Sequence, residues 1–519
     1  MTTITNRWRW AFLAFGILLA GGAVLWGLCC RQPTLEPVRM LSRAPRLTPD
    51  YRGVVIPPNI SPLNFAINEP GASYCVNLRG RAGAPLKLFS RRPQVHIPLQ
   101  PWRRLLAENK GRELYFDIYA KTVGGAWNHY STVTNNIANE PIDGFLLYRK
   151  IHPSHNTWSV MGLYQRDLAT FDEDAVLENR HFGGDCCHCH SLCNNDANHA
   201  AILIRSKEYQ NSLLMISEGI ASTVQGTAGF CAWHPGGRLV ACAFSKPRLL
   251  LHTAKNDMRD IVDLEAWIGY FRLDANTVRK IPGLSPADRL LAFPVWSADG
   301  RYLYYCSAPN PWPNPAAATA DSYASIKYDL MRIAYDVAQD QWGKPETVLA
   351  VRDIGFSVAT PRVSPDGRWL SFCAVEYGCW PTYHPESDLY VLDLNTPAVG
   401  GHYQYRKLEL NSSECESWHN WSANGRWLVF SSKRESPLFN RPYLAYVDAA
   451  GKCGKPFLLP QKDPAYYDSL LKTYTMPALA TSPVVVARRK LVEAILTPRK
   501  RPLVMPDAKA EPKPASPYP

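Results

Sequence analysis

The 519-residue chain has no Gly-x-Ser-x-Gly, and too little sequence follows its repeated segments to hold a hydrolase domain, which excludes that serine chemistry. It also lacks a groove-reading nucleic-acid motif, so nucleic acid does not explain its formal charge of +12. Eight Lys/Arg from Arg488 onward face three acids and supply +5 of that charge. Much of the surplus therefore belongs to the tail, where solvent or lipid headgroups suit it. Carboxylate pairs such as Asp172/Asp174 and Glu414/Glu416 lack a catalytic spacing and read as solvated surface. Long apolar runs are scarce as well. Residues 11–28 form the one uncharged hydrophobic span.

That span, extended by Trp10, has the length of a membrane helix and exceeds a signal-peptide core. Residues 1–30 are thus expected as a cytoplasmic stub and uncleaved transmembrane signal anchor, followed by a linker over 31–51. Arg7 and Arg9 favour an N-terminus inside, while Arg31, Arg39, Arg43 and Arg46 blunt that argument. Lipidation at Cys29 is disfavoured because Leu28 stands where a small residue is wanted.

What the chain does have is 16 Trp, 26 Tyr, 43 Pro and 32 Gly, a composition of short strands and turns. The expected class is all-β. Residues 52–140 alternate apolar and polar, as in Leu114-Tyr-Phe-Asp-Ile-Tyr-Ala, and predict a small β-sandwich-like domain with one helix over 102–109. Four copies of one unit follow: Ala232-Trp-His-Pro-Gly-Gly-Arg, Val295-Trp-Ser-Ala-Asp-Gly-Arg, Arg362-Val-Ser-Pro-Asp-Gly-Arg and Asn420-Trp-Ser-Ala-Asn-Gly-Arg. Each is a strand, a turn whose Gly (Gly237, Gly300, Gly367, Gly425) takes positive φ, and a second apolar strand. That is the inner hairpin of a β-propeller blade. Spacings of 63, 67 and 58 residues exceed the ~40–45 of a plain blade, so each carries an insertion. With degenerate copies at 144–168 and 201–220, residues 141–485 predict a propeller of about six blades. A short docking helix is expected at 466–471, and 486–519 reads as a basic, Pro-rich disordered tail.

Chemistry concentrates in a loop at 184–193, which contains Cys186-Cys-His-Cys-His190. Two thiols three apart on a tight turn reach both vinyl groups of one haem edge, and the next His becomes the axial iron ligand. Cys186, Cys189 and His190 are therefore the candidate cofactor residues for one covalent haem c, with His190 proximal. The same cluster offers alternatives. Cys186, Cys189, Cys193 and His190 match a tetrahedral zinc set, and Cys187 or Cys193 could enter disulfides. Cys231, Cys242, Cys306 and Cys373 fall on blade hairpins as small apolar thiols. Candidate distal ligands are His181, His199, His234 and His419, with Met161 and Met215 behind them. Haem attachment occurs outside the cytoplasm, which places the body in the periplasm and the chain in a bacterial inner membrane as a single-pass protein.

The chain resembles a group of TolB-like propeller proteins of Bacteroidetes-type bacteria, often labelled cytochrome c biosynthesis proteins. The resemblance rests on Ile56-Pro-Pro-Asn-Ile-Ser-Pro-Leu-Asn-Phe, Glu140-Pro-Ile-Asp-Gly-Phe-Leu-Leu-Tyr-Arg, Cys186 through Ser191, Ala232-Trp-His-Pro, Glu416-Ser-Trp-His-Asn-Trp-Ser, Ser431-Ser-Lys-Arg and Lys455-Pro-Phe-Leu-Leu-Pro-Gln-Lys-Asp-Pro. It spans about residues 55–465 and implies a six-bladed propeller with a haem-type motif at its entrance, but no established activity. One departure stands out: the family has His-x-Arg where this chain reads Leu203-Ile204-Arg205. The expected function is electron transfer or redox sensing with a redox partner protein or envelope complex. The alternative is a non-enzymatic protein- or glycan-binding propeller with a structural zinc or disulfide loop, and a haem peroxidase-like activity is the minor third.

Overall fold

A computed structural model describes residues 34–497 apart from 154–159, 227, 255–256, 274–276, 285–287, 313–318 and 397–402. The expected anchor at 1–30 lies outside the described residues. Among those described, no helix is long and apolar enough to cross a membrane.

The N-terminal domain is built on a seven-stranded mixed sheet whose central strand, Glu113–Lys121, pairs antiparallel with Ser73–Arg79, Trp127–His129 and Val133–Ile137. A three-stranded sheet (Leu47–Thr48, Phe65–Ile67, Gln94–Val95) and the helix Leu99–Glu108 complete it. The alternation in Glu113–Lys121 sends Leu114, Phe116, Ile118 and Ala120 into the core, while Trp102 of the helix donates from Nε1 to the Ile60 carbonyl at 3.0 Å. The expected linker 31–51 is in part structural. Val38–Met40 pairs parallel with Trp127–His129, Tyr51 is fully buried, and Arg43 forms a two-pronged ion pair with Glu69, whose side chain is buried. Glu69 gives Arg43 and Arg46 a buried partner that composition does not reveal.

Beyond it the chain forms, among the described residues, six successive four-stranded units. Blade 1 takes Phe145–Ile151, Gly162–Asp167 and Glu173–Glu178; blade 2 takes Cys186–Cys193, Asp196–Arg205, Ser212–Ser217 and Ile220–Gln225. Blade 3 runs from Cys231–Trp233 through the long hairpin Leu239–Ala254/Asp257–Arg272 to Thr277–Lys280. Blades 4, 5 and 6 begin with Arg289–Trp296, Ser357–Val363 and Glu416–Trp421. A single parallel pairing, Ala266 with Leu290, joins blades 3 and 4. The last strand, Thr473–Ala480, returns to pair antiparallel with Phe145–Ile151 and becomes the inner strand of blade 1. The inner strands touch one another in a closed circle, Thr473–Ala480 meeting both Glu416–Trp421 and Cys186–Cys193. A closed circle of radial four-stranded sheets is a β-propeller. It protects sheet edges by repetition and closure.

The repeat tryptophans explain why the units stack. Trp233 Nε1 donates to the Ser191 carbonyl (3.3 Å), Trp296 Nε1 to the Ala232 carbonyl (3.2 Å) and Trp421 Nε1 to Ser371 Oγ (2.9 Å). Each ring ties its blade to the preceding one while burying its apolar face.

Three further expectations are corrected. The expected loop at 184–193 is largely the inner strand Cys186–Cys193 of blade 2, because its cysteines bury as small apolar groups. Within the expected tail, Arg488–Leu496 is a helix that lays Leu491 and Ile495 on blades 1 and 2; residues 498–519 lie outside the described residues. Glu416, read as surface, is fully buried and accepts from Ser412 N, Ser412 Oγ, Ser432 Oγ and Arg434 Nη2 at 2.7–3.0 Å.

Candidate functional site

Partway along the inner strands the ladder is interrupted by bulges, between Ala292 and Val295, Ala359 and Arg362, Ser417 and Asn420, and opposite Leu147/Arg149. Inside these bulges Phe293 (φ 51°), Thr360 (47°), Trp418 (50°) and Met476 (53°) hold left-handed backbone. Each such residue costs about 1–3 kcal/mol, and bulges of this kind re-aim side chains. The residues that follow are Pro294, Pro361, His419 and Pro477. Aligning blades 2 and 3 by their strand ends, Leu192 and Trp233, puts His190 and Cys231 at the same level, and blade 2 has its own bulge between His188 and His190. One ring of positions thus carries three prolines and three reactive side chains.

His190, Cys231, Pro294, His419 and Pro477 line a cavity of about 410 Å³ on the propeller axis, which opens at the turn end of the blades. His190 and His419 flank the closing strand, one on each side. Both are buried, and Nε2 of each has no hydrogen-bond partner. Burial, aided by the charge of Arg362, pushes both imidazoles down to about 3; Arg149 adds to the effect on His190. Both are neutral near pH 7. Cys189 lines the same cavity, and burial pushes its thiol up to about 11.

A second cavity of about 610 Å³ lies at the other end of the axis, and Trp418 lines both. Its wall carries Arg149, Arg205, Lys207 and Arg248 beside the apolar Ile151, Met161, Leu249 and Ile261. Arg205 Nε, Trp380 Nε1 and Trp418 Nε1 have no hydrogen-bond partner. Cys186 and His188 face this chamber, His188 Nδ1 lying 3.0 Å from Cys189 Sγ.

The structure therefore divides the sequence motif. Cys189 and His190 share one cavity, whereas Cys186 faces the other, because three residues of an extended strand span about 10 Å along the axis where a tight turn would bring them together. Cys193 points instead at the His234 carbonyl, 3.7 Å away. Among the described residues no group of three or more His, Cys, Asp or Glu is placed to hold a metal ion, so the zinc set Cys186, Cys189, Cys193 and His190 does not assemble.

The distal candidates separate as well. His199 packs edge-on against Trp233 and over Gly237; His234 does the same with Trp296 and Gly300 of the next blade. A Cβ on Gly300 would sit 2.2 Å from His234 Nε2, so these histidines are wedges between blades. His181 lies in the turn Asn179–His181 and lines neither cavity; Met161 lines the second, and Met215 is core. His419 is the histidine candidate that shares the cavity of His190.

Arg149, Arg205, Arg362 and Trp418 escaped sequence reading. For Arg362 a signal existed. It fills a repeat position held by Ala232, Val295 and Asn420 in the other copies, a charge in an otherwise uncharged register.

The class this fold defines is the β-propeller. No family model matches the chain, and no curated protein does. Among solved structures it is similar to TolB from Acinetobacter baumannii (14% identity, 71% of this chain and 79% of that chain, TM-score 0.40), to an oligogalacturonate lyase in complex with manganese (13%, 65% and 86%, 0.31) and to a puromycin hydrolase (13%, 63% and 54%, 0.35). The propeller rests on its own closed circle of blades.

Proposed function

We propose that the protein is a TolB-like propeller of the bacterial envelope that binds one c-type haem in its axial channel, tethered through Cys189 and ligated by His190, and that it transfers or senses electrons. The observation that carries this reading is the pair of buried, neutral imidazoles, His190 and His419, which line one cavity together with Cys189 and whose Nε2 atoms have no hydrogen-bond partner. Cys189, His190 and His419 fit the group; Cys186, in the other chamber, does not fit a second tether in this fold. Bound there, a haem supplies one-electron exchange. The chain's own residues hold His190 neutral and set positive charge from Arg149 and Arg362 beside it. Cys189 is held protonated by burial, so attachment precedes closure of blade 2 onto its neighbours. The expected anchor at 1–30 tethers the body on the periplasmic side, where attachment takes place, and a redox partner protein or envelope complex exchanges electrons with it.

The test is expression of the full chain with the haem-attachment machinery, followed by haem staining of a denaturing gel. The expected result is a stained band that persists in Cys186→Ser and is lost in Cys189→Ser. Absence of stain in the wild type overturns the reading.

A second reading, a binding propeller without haem, is favoured by the chamber lined by Arg149, Arg205, Lys207 and Arg248. The cationic side chains of its wall suit an anionic ligand or an acidic segment of a partner protein. Such binding would weaken steeply with salt.

A further inference from the structure

Cys231 and Cys242 face each other directly across the inner hairpin of blade 3, in register with Ala232/Ala241 and Trp233/Val240. On one side Ala243 N donates to the Phe230 carbonyl at 2.8 Å, and on the other His234 N donates to the Leu239 carbonyl at 2.8 Å. Counting inward from these bonded pairs makes 231/242 a non-hydrogen-bonded pair. In antiparallel sheets such pairs have Cα atoms about 4.5 Å apart, inside the roughly 4.4–6.8 Å range that a disulfide spans. The two sulfurs are 2.9 Å apart. That is closer than two thiols rest in ordinary contact, and only one side of the pair is fully buried: Cys242 lies in the core, while Cys231 is half-buried and lines the axial cavity.

We propose that Cys231 and Cys242 are a redox modification site, closing to a cross-strand disulfide on the channel wall by exchange with a disulfide-class oxidant. In that step the oxidant's S–S bond breaks and its two sulfurs leave as thiols, taking up the two protons and two electrons that the cysteine thiols lose. The Cys231 Sγ–Cys242 Sγ bond forms. Other cysteines at this depth lack the register: Cys306 faces Ala292 and Leu330, and Cys373 faces Ala359 and Leu389. Cys189, which shares the cavity, is the competing sulfur. Closing the pair removes Cys231 from competition with Cys189 for any cofactor in the channel, and the bond itself requires no haem. Burial holds the Cys231 thiol protonated, which makes exchange slow once the blade is closed. The bond therefore forms as the hairpin folds in an oxidising compartment and then persists.

The test uses the full chain made in a host that exports it to an oxidising compartment, denatured in N-ethylmaleimide to block free thiols and digested with trypsin, which cuts after Arg238 between the two cysteines. The expected result is one cross-linked pair of peptides carrying Cys231 and Cys242, two hydrogens lighter than their sum and released by dithiothreitol, with Cys306 and Cys373 alkylated. In Cys242→Ala the pair is absent and Cys231 is alkylated. Complete alkylation of Cys231 and Cys242 in the wild type, or a link from Cys231 to Cys189, overturns the proposal. Because the mapping reads the wild-type chain directly, it stands even where a variant fails to fold.

Discussion

Raising the pH from 6.5 to 9.5 should cost the protein about 3 kcal/mol that depends on one side chain, His384. This buried histidine sits after the turn Pro381–Tyr383 of blade 5. Its Nε2 lies 3.1 Å from Asp260 Oδ2 on the long hairpin of blade 3, and its Nδ1 lies 2.9 Å from Glu386 Oε1. Burial opposes its charge, but the ion pairs with Asp260 and Glu386 prevail and push it up to about 9 from an ordinary 6.5. The edge of Tyr377 also faces it, with ring centroids 4.8 Å apart, and Asp263 lies on the same hairpin as Asp260. The folded protein holds the proton more tightly than the unfolded chain, so the stabilisation is complete below 6.5 and fades as pH climbs through about 9. At about 1.36 kcal/mol per pH unit, the change between pH 6.5 and 9.5 is about 3 kcal/mol. The assay is urea unfolding followed by tryptophan fluorescence at both pH values, for wild type and His384→Asn. Thiols that ionise in the unfolded chain act on both proteins and cancel in the difference. The stability gap should shrink by about 3 kcal/mol at the higher pH; an unchanged gap refutes the reasoning.

Glu416→Gln removes the buried charge that Arg434, Ser412 and Ser432 surround and should lower stability by about 3 kcal/mol in the same assay, because it leaves the half-buried Arg434 without its counter-ion. On the closing strand, fully buried Leu479→Ala should cost about 2–5 kcal/mol. Exposed Val485→Ala, a few residues on, should stay within about 0.5 kcal/mol.

The sequence displayed its propeller where the repeat is regular. The glycines at 237, 300, 367 and 425 all take positive φ, as the turn requires, and the segments 144–168 and 201–220 contain strands of blades 1 and 2. Two inner strands were invisible for different reasons. Cys186–Cys193 carries reactive side chains in place of aliphatic ones, so it read as a loop. Thr473–Ala480 is buried on both faces, with Thr473 and Thr475 inside and Pro477 in mid-strand, which hides it as a central strand. Glu416 looked like surface because a buried carboxylate is recognisable only from its partners. The site was half legible: Cys189, His190 and His419 were singled out, but which of them share a cavity depends on bulges and on ring closure across hundreds of residues. His419 does carry a local mark, standing where Pro294, Pro361 and Pro477 stand in other blades.

The central claim is tested most directly by the mass of one peptide. Trypsin releases residues 181–205 intact, with Cys186, Cys187, Cys189 and Cys193 together. After co-expression with the haem-attachment machinery and alkylation in denaturant, the account predicts this peptide with one haem on Cys189 and the other three cysteines alkylated. A peptide with all four cysteines alkylated and no haem would contradict it.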